Sequence, residues 1–250
     1  MTLDTFERYR HNPYLSPISS GTLEQLGDRC RLTERSNVLD VACGKGGAAL
    51  TLAEKFRCVV TGVEARVDFA EEARRRAVSG DLDLFVNIID ADPVALPFDD
   101  GYFDLAVMLG SVHPLDLGKG VPEISRVVRR GGWLALSELV WKPGASGRAP
   151  GPVRDWLGGF GPGGIADLEG RIGQFLEAGF QVESAALEAD EAWESFYAPQ
   201  ARALLEIRRD YNGSAPERAT LDQWQKELQL FHSGGGKEAI GYACYLLRRP

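Results

Sequence analysis

The sequence predicts an α/β fold, a largely parallel sheet with helices on both faces, and three observations lead to this prediction. Residues 38–41 are a short apolar strand pattern that runs through Gly44 and Gly46 into a helical pattern over 48–56. A second apolar, β-branched stretch follows at 58–63. A strand, a helix and a strand at this spacing imply a parallel pair with a right-handed crossover.

The composition fits one globular domain. The 250 residues are 44% hydrophobic and 26% charged, enough to bury a large core. The net charge of -8 argues against a nucleic-acid groove as the main surface. The cysteines and histidines lack the spacing of a metal site, so we expect no metal. Without a signal peptide or an apolar membrane span, we expect a cytoplasmic protein that has reduced thiols and does not enter a membrane.

The remaining elements are predicted from apolar periodicity and turn residues. A first helix begins near Ser19 or Ser20, with Glu24 close to a capping-box position. Further helices are predicted at 66–79, 168–178, 191–209 and 221–231, and further strands at 84–89, 105–110, 133–140, 180–187 and 240–247. Arg74, Arg75 and Arg76 are expected to form a solvated helix face. Residues 234–237, G-G-G-K, lack the spacing of a phosphate-binding loop and are expected to form a mobile loop.

The turn after the first strand is the expected ligand site. It brings free N–H groups and a partial positive charge to the start of a helix, beside the carboxyl end of a strand. A nicotinamide-binding unit would use Gly44, Gly46 and Ala49, with Glu64 as the ribose acid twenty residues after the first glycine. Asp40, four residues before that glycine, has no role in such a unit, and it favours a different cofactor.

Three segments carry a family resemblance. Residues 39–46, L-D-V-A-C-G-K-G, resemble motif I of the class I S-adenosylmethionine-dependent methyltransferases, L-D-x-G/A-C-G-x-G. Residues 95–104, A-L-P-F-D-D-G-Y-F-D, are similar to a segment of many small-molecule methyltransferases. Residues 124–133 resemble the family's helix that runs into L-x-P-G-G, with Arg130 at the proline position.

The resemblance implies a fold and a cofactor. The expected fold is a Rossmann-like sheet of seven strands, mostly parallel, with the last strand antiparallel. The expected cofactor is S-adenosyl-L-methionine, with S-adenosyl-L-homocysteine as its product. Glu64 is expected to bind the ribose hydroxyls, Asp90 the adenine amino group, and the N–H of Ala91 the adenine ring. The full set of expected cofactor-binding residues is Asp40, Ala42, Gly44, Gly46, Glu64, Ala65, Asp90, Ala91, Leu109 and Gly110.

Within a single domain over residues 1–250, four regions are expected. These are an N-terminal helical lid (1–36), a cofactor-binding core (37–140), a flap insertion rich in glycine and proline (141–168) and a helical cap (188–235). In the lid, Tyr9, Arg10 and Tyr14 either fold over the cofactor or simply cover the sheet edge. The cap aromatics, with Trp156, either line a substrate pocket or form helix core; they are Trp193, Tyr197 and Trp224.

The predicted reaction is methyl transfer to a small-molecule acceptor by in-line displacement. The methyl group is already activated in the cofactor, so the protein chiefly binds the two reactants and orients them. His113 is the first candidate for a general base and Glu138 the second, if the acceptor must lose a proton. Two alternatives stay open: a nicotinamide-dependent oxidoreductase, although no tyrosine has a lysine four residues on, and a non-catalytic S-adenosylmethionine-binding protein. The sequence does not indicate the acceptor or the oligomeric state.

Overall fold

The computed structural model describes residues 4–110, 120–158 and 165–250. His113 therefore lies outside the described residues. Seven strands form one sheet in the order β3-β2-β1-β4-β5-β7-β6. They are β1 (Asn37–Val41), β2 (Val59–Val63), β3 (Val86–Ile89), β4 (Phe103–Leu109), β5 (Val128–Trp141), β6 (Gln181–Leu187) and β7 (Ile240–Arg248).

The strand directions confirm the predicted fold class. β1 pairs in parallel with β2 and β4, and the parallel pairing continues to β3 on one side and β5 on the other. β7 runs antiparallel to both β5 and β6. The carboxyl ends of β1, β2 and β4 consequently meet at one edge of the sheet, where open α/β sheets bind ligands.

The described helices surround this sheet. They are α1 (Thr5–Arg8), α2 (Ser20–Cys30), α3 (Gly47–Phe56), α4 (Val67–Ser79), α5 (Val121–Val127), α6 (Gly151–Leu157), α7 (Leu168–Glu177), α8 (Asp190–Arg209), α9 (Ala215–His232) and α10 (Gly236–Ala239). None of the helices in the described ranges is long and apolar enough to cross a membrane.

Apolar side chains divide into separate cores. Leu23 of α2 and Leu52 of α3 belong to a cluster against one face of the sheet. Ile124 of α5 and Phe175 of α7 belong to a second cluster against the other face. A third cluster joins α6, α8 and α9 to the start of β7 and contains Trp193. The sheet is thus buried on both faces, as its apolar strands predicted.

Several predicted boundaries were wrong. The Ser19 side chain accepts the Thr22 N–H at 3.0 Å and caps α2, whereas Glu24 instead pairs with Lys55 at 3.1 Å. α9 begins six residues before the predicted start because Ser214 and Glu217 form a capping box. β5 begins five residues before the predicted start, with a register irregularity in its pairing with β4.

The predicted loop at 234–237 was also wrong in part. Gly236 and Lys237 open the short helix α10. Lys237 Nζ lies 3.5 Å from Asp190 and 3.7 Å from Glu194, both on α8. The glycine run therefore turns the chain from α9 into β7, and the lysine contacts a neighbouring helix.

Candidate functional site

The turn between β1 and α3 is braced by two acidic side chains. Asp40, buried at the end of β1, accepts the Ala49 N–H through Oδ2 at 3.0 Å. Glu64, which follows β2, accepts the Gly44 N–H through Oε2 at 2.8 Å and the Arg66 N–H through Oε1 at 2.9 Å. The two carboxylates therefore approach the glycine turn from adjacent parallel strands.

Burial raises the pKa of Asp40 to about 7, and the nearby Glu64 charge adds to this effect. The hydrogen bond from Ala49 acts in the opposite direction and favours the ionised carboxylate. Among the described residues, no lysine or arginine pairs with Asp40. A buried carboxylate of this kind favours a cationic ligand, because a positive charge would offset the cost of its desolvation.

The turn itself depends on left-handed backbone. Ala42, Gly44 and Gly46 have φ values of 53°, 55° and 74°. A Cβ added to Gly44 would lie 2.5 Å from Leu15 Cδ1. The N-terminal segment, residues 4–18, therefore packs directly on the glycine turn.

Two basic side chains hold the N-terminal segment in place. Lys45 Nζ donates to the carbonyl oxygens of Tyr9 at 2.6 Å and Arg10 at 3.3 Å. Arg76 Nη1 donates to the carbonyl oxygens of Pro13 at 3.1 Å and Lys45 at 2.7 Å. Sequence reasoning missed both contacts, since the partners are distant carbonyl groups. The expectation of a solvated Arg74–Arg76 face was wrong for Arg76.

A first cleft lies between the N-terminal segment and the glycine turn. Its lining comprises Pro13, Tyr14, Leu15, Ser16, Ile18, Asp40, Ala42, Cys43, Gly44, Lys45, Gly47, Ala48 and Leu109. Four of the expected cofactor-binding residues are in this lining. We refer to it as the cofactor cleft.

The other expected cofactor-binding residues lie around this cleft. Gly46 is the N-cap of α3, and Glu64 reaches the turn through Gly44. Ala65 and Asp90 are exposed just beyond β2 and β3. Ala91 packs partly against the second core cluster. Gly110, which follows β4, lines a neighbouring cleft instead.

That second cleft has a volume of about 150 Å³. It is lined by Tyr9, Leu15, Ser16, Pro17, Gly110, Glu138, Leu139, Trp156, Trp193, Phe196, Tyr197, Glu227 and Tyr242. Leu15 and Ser16 line both clefts, so the two are adjacent. We refer to it as the aromatic cleft, because six of its lining residues have aromatic side chains.

The carboxylates of the aromatic cleft are bound by arginines. Glu138 Oε1 and Oε2 accept from Arg171 at 2.5 and 2.8 Å. Burial raises the pKa of Glu138, whereas the Arg171 charge lowers it. Glu227 Oε1 accepts from Arg8 at 2.6 Å. Both Glu138 oxygens thus contact the Arg171 guanidinium.

This chain is similar to known methyltransferases. A family model described as "Methyltransferase domain" matches residues 39–136, from β1 to β5. The 27-O-demethylrifamycin SV methyltransferase of Amycolatopsis mediterranei is 28% identical over 242 residues, covering 92% of this chain and 86% of the relative. The sarcosine/dimethylglycine N-methyltransferase of Halorhodospira halochloris is 33% identical over 120 residues, covering 47% of this chain and 43% of the relative.

The whole fold also has a solved counterpart. A SAM-dependent methyltransferase from Thiobacillus denitrificans, solved with S-adenosyl-L-homocysteine, covers 100% of both chains at a TM-score of 0.85 and 19% identity. At this identity the likeness concerns the fold. The matched residues begin within β1 and include the turn that lines the cofactor cleft. Residues 39–136 thus match a methyltransferase domain, and the whole chain shares its fold with a solved SAM-dependent methyltransferase.

Proposed function

We propose that this enzyme transfers the methyl group of S-adenosylmethionine to an uncharged, largely aromatic or apolar small molecule in the aromatic cleft. The observation that carries the proposal is the adjacency of the two clefts, which share Leu15 and Ser16. The rings of Trp156, Trp193 and Phe196 suit an apolar ligand, since aromatic side chains supply large apolar contact areas.

The cofactor cleft suits S-adenosylmethionine. The desolvated Asp40 carboxylate suits the ammonium group of its amino-acid portion. Glu64 stands where a carboxylate can accept bonds from ribose hydroxyls, and Asp90 and Ala91 follow the next strand for the adenine. When bound, the cofactor supplies an activated methyl group on a sulfonium.

The chain's own contribution is orientation. Lys45 and Arg76 hold the N-terminal segment against the glycine turn, so Leu15 and Ser16 stay between the two clefts. Fixing the acceptor on the line of transfer removes an entropic cost of several kcal/mol, up to roughly 7–11 for ideal placement. We assign Glu138 to supporting β5 through Arg171, and His113 remains the predicted general base. The four free cysteines suit a reducing cytoplasm.

Calorimetric titration with S-adenosyl-L-homocysteine tests the cofactor assignment. We expect micromolar binding that is lost in Asp40→Ala and weakened in Glu64→Ala. NADH, titrated in parallel, should give no heat of binding. Binding of NADH without binding of S-adenosyl-L-homocysteine would overturn the assignment.

The acceptor class needs a separate assay. Wild-type enzyme and S-adenosylmethionine labelled in the methyl group should be incubated with neutral aromatic and aliphatic compounds, and the products analysed by mass spectrometry. We expect label in an aromatic compound, and less of it with Trp156→Ala. Label confined to small aliphatic zwitterions would contradict the proposed acceptor class.

A further inference from the structure

The hydroxyl of Tyr242 lies where the two clefts meet. Tyr242, on β7, lines the aromatic cleft and is 3% exposed. A Cβ added to Gly110 would lie 3.1 Å from Tyr242 Oη and 3.1 Å from Ser16 Cβ. Ser16 lines both clefts. A group bound beside Tyr242 Oη would therefore be next to the cofactor cleft.

The hydrogen bonds around the Tyr242 hydroxyl leave its O–H able to donate. The Gly110 N–H donates to Ser137 Oγ at 3.1 Å, and the Ser137 hydroxyl donates to Tyr242 Oη at 3.1 Å. Ser16 lies near this hydroxyl, beside Gly110. A phenol oxygen has two acceptor positions and one O–H donor. With Ser137 donating to the phenol oxygen, the O–H of Tyr242 is left to donate to another group.

The phenol stays protonated at neutral pH. Burial raises the pKa of Tyr242 well above its ordinary value. Tyr242 faces the aromatic cleft, so a ligand bound there can reach this O–H. An oxygen of that ligand would accept the hydrogen bond.

The same cleft offers no unpaired carboxylate among its described lining residues. Glu138 is held by Arg171 and Glu227 by Arg8. A protonated amine entering the cleft would lose water without gaining a free counter-ion. Attraction to the aromatic rings compensates only part of that loss. The described lining therefore suits an uncharged group better than an ammonium group.

We propose that Tyr242 positions the acceptor by donating a hydrogen bond to the oxygen that is methylated, so the enzyme selects an uncharged hydroxyl over a protonated amine. This proposal rests on the proposed methyl transfer. A new C–O bond forms as the S–CH₃ bond breaks, and the sulfonium becomes a neutral thioether. The hydroxyl proton leaves to bulk water, either directly or by way of the predicted general base. One lone pair of the acceptor oxygen receives the Tyr242 hydrogen bond and another attacks the methyl carbon.

A matched pair of probes tests this selection. Protein saturated with S-adenosyl-L-homocysteine should be titrated at pH 7 with 1-naphthalenemethanol and with 1-naphthalenemethylamine, which is protonated at that pH. We expect the alcohol to bind at least about tenfold more tightly. Tyr242→Phe should weaken binding of the alcohol by about 3- to 30-fold. Its binding of the amine and of S-adenosyl-L-homocysteine should stay within about twofold of the wild-type values.

Tyr245→Phe is the matched control. Tyr245 is also buried on β7, but its hydroxyl contacts Glu138 at 3.4 Å and the residue does not line the aromatic cleft. This variant should bind the alcohol as the wild type does. The proposal is overturned if Tyr242→Phe keeps wild-type affinity for the alcohol, if the wild type prefers the amine, or if the loaded protein does not bind the alcohol. Failure to bind S-adenosyl-L-homocysteine would instead overturn the proposed function.

Discussion

Glu64 accepts the backbone N–H of Gly44 across 2.8 Å, although twenty residues separate them. The contact joins the carboxyl ends of β1 and β2. Glu64 is 8% exposed and its other oxygen accepts the Arg66 N–H. One carboxylate thus fixes the glycine turn and the start of α4 while it stays at the rim of the cofactor cleft.

Replacing Glu64 tests both roles. Glu64→Ala leaves two N–H groups without their acceptor, and we expect a loss of about 1–3 kcal/mol in the free energy of unfolding. Calorimetry should show binding of S-adenosyl-L-homocysteine weakened by more than about tenfold. Glu64→Gln retains one oxygen acceptor and should recover part of the stability but less of the affinity. Wild-type affinity in Glu64→Ala would exclude the ribose role.

Asp40 predicts a pH dependence of stability. Its pKa is raised to about 7 in the folded protein, above the value of about 4 in an unfolded chain. The folded state therefore holds a proton that the unfolded state has lost, so this residue makes stability fall as pH rises from about 4 to 7. The slope approaches 1.36 kcal/mol per pH unit. Urea unfolding between pH 5 and 8 should give this slope for the difference in the free energy of unfolding between the wild type and Asp40→Asn. The same pH dependence in the two proteins would contradict the prediction.

Lys45 links the glycine turn to the N-terminal segment. Burial lowers the pKa of Lys45 to about 8, with the Arg76 charge acting in the same direction. Lys45→Met removes the donor to the Tyr9 and Arg10 carbonyls but keeps an unbranched side chain of similar length. We expect faster hydrogen exchange at the Asn12 amide, which bonds to Tyr9, and weaker binding of S-adenosyl-L-homocysteine. An unchanged exchange rate at the Asn12 amide would contradict the prediction, because other contacts would then hold the N-terminal segment without Lys45.

Two glycines should respond in opposite directions to alanine. Gly44 has a φ of 55° and Leu15 beside it, so Gly44→Ala should destabilise the protein by about 1–2 kcal/mol or more. Gly173 lies inside α7 with open space around it, so Gly173→Ala should stabilise by about 0.5–1 kcal/mol. Thermal and urea unfolding measure both changes. A shift of the same sign in the two variants would contradict the prediction.

The ion pair between Glu138 and Arg171 should matter mainly to stability. Arg171→Met leaves a buried carboxylate unpaired and should cost about 3–5 kcal/mol. Adding Glu138→Gln removes that charge and should restore much of the loss, measured by urea unfolding. If Glu138 were instead the general base, the double variant would refold but lose turnover at every pH.

Local patterns made much of the fold predictable. The apolar run at 38–41, the glycines that follow and the acid at Glu64 mark adjacent strand ends, and the structure brings them together. These features depend on a few neighbouring residues and on one strand–helix–strand crossover, so they can be predicted from the sequence alone. The predicted start of α9 was six residues too late, because the capping box of Ser214 and Glu217 begins the helix ahead of its apolar residues.

The sequence by itself determined the α/β order and the residues of the glycine turn, because backbone conformation and apolar periodicity are local. Only the tertiary structure decided how these parts combine. It placed Lys45 under the carbonyls of Tyr9 and Arg10, paired Glu138 with Arg171, and brought Tyr242 beside Gly110. These partners lie tens of residues or more apart, and their contacts depend on how the sheet and helices pack. No spacing in the chain encodes that packing. Only the folded molecule therefore shows which predicted cap aromatics line the aromatic cleft: Trp156, Trp193 and Tyr197 do, and Trp224 does not.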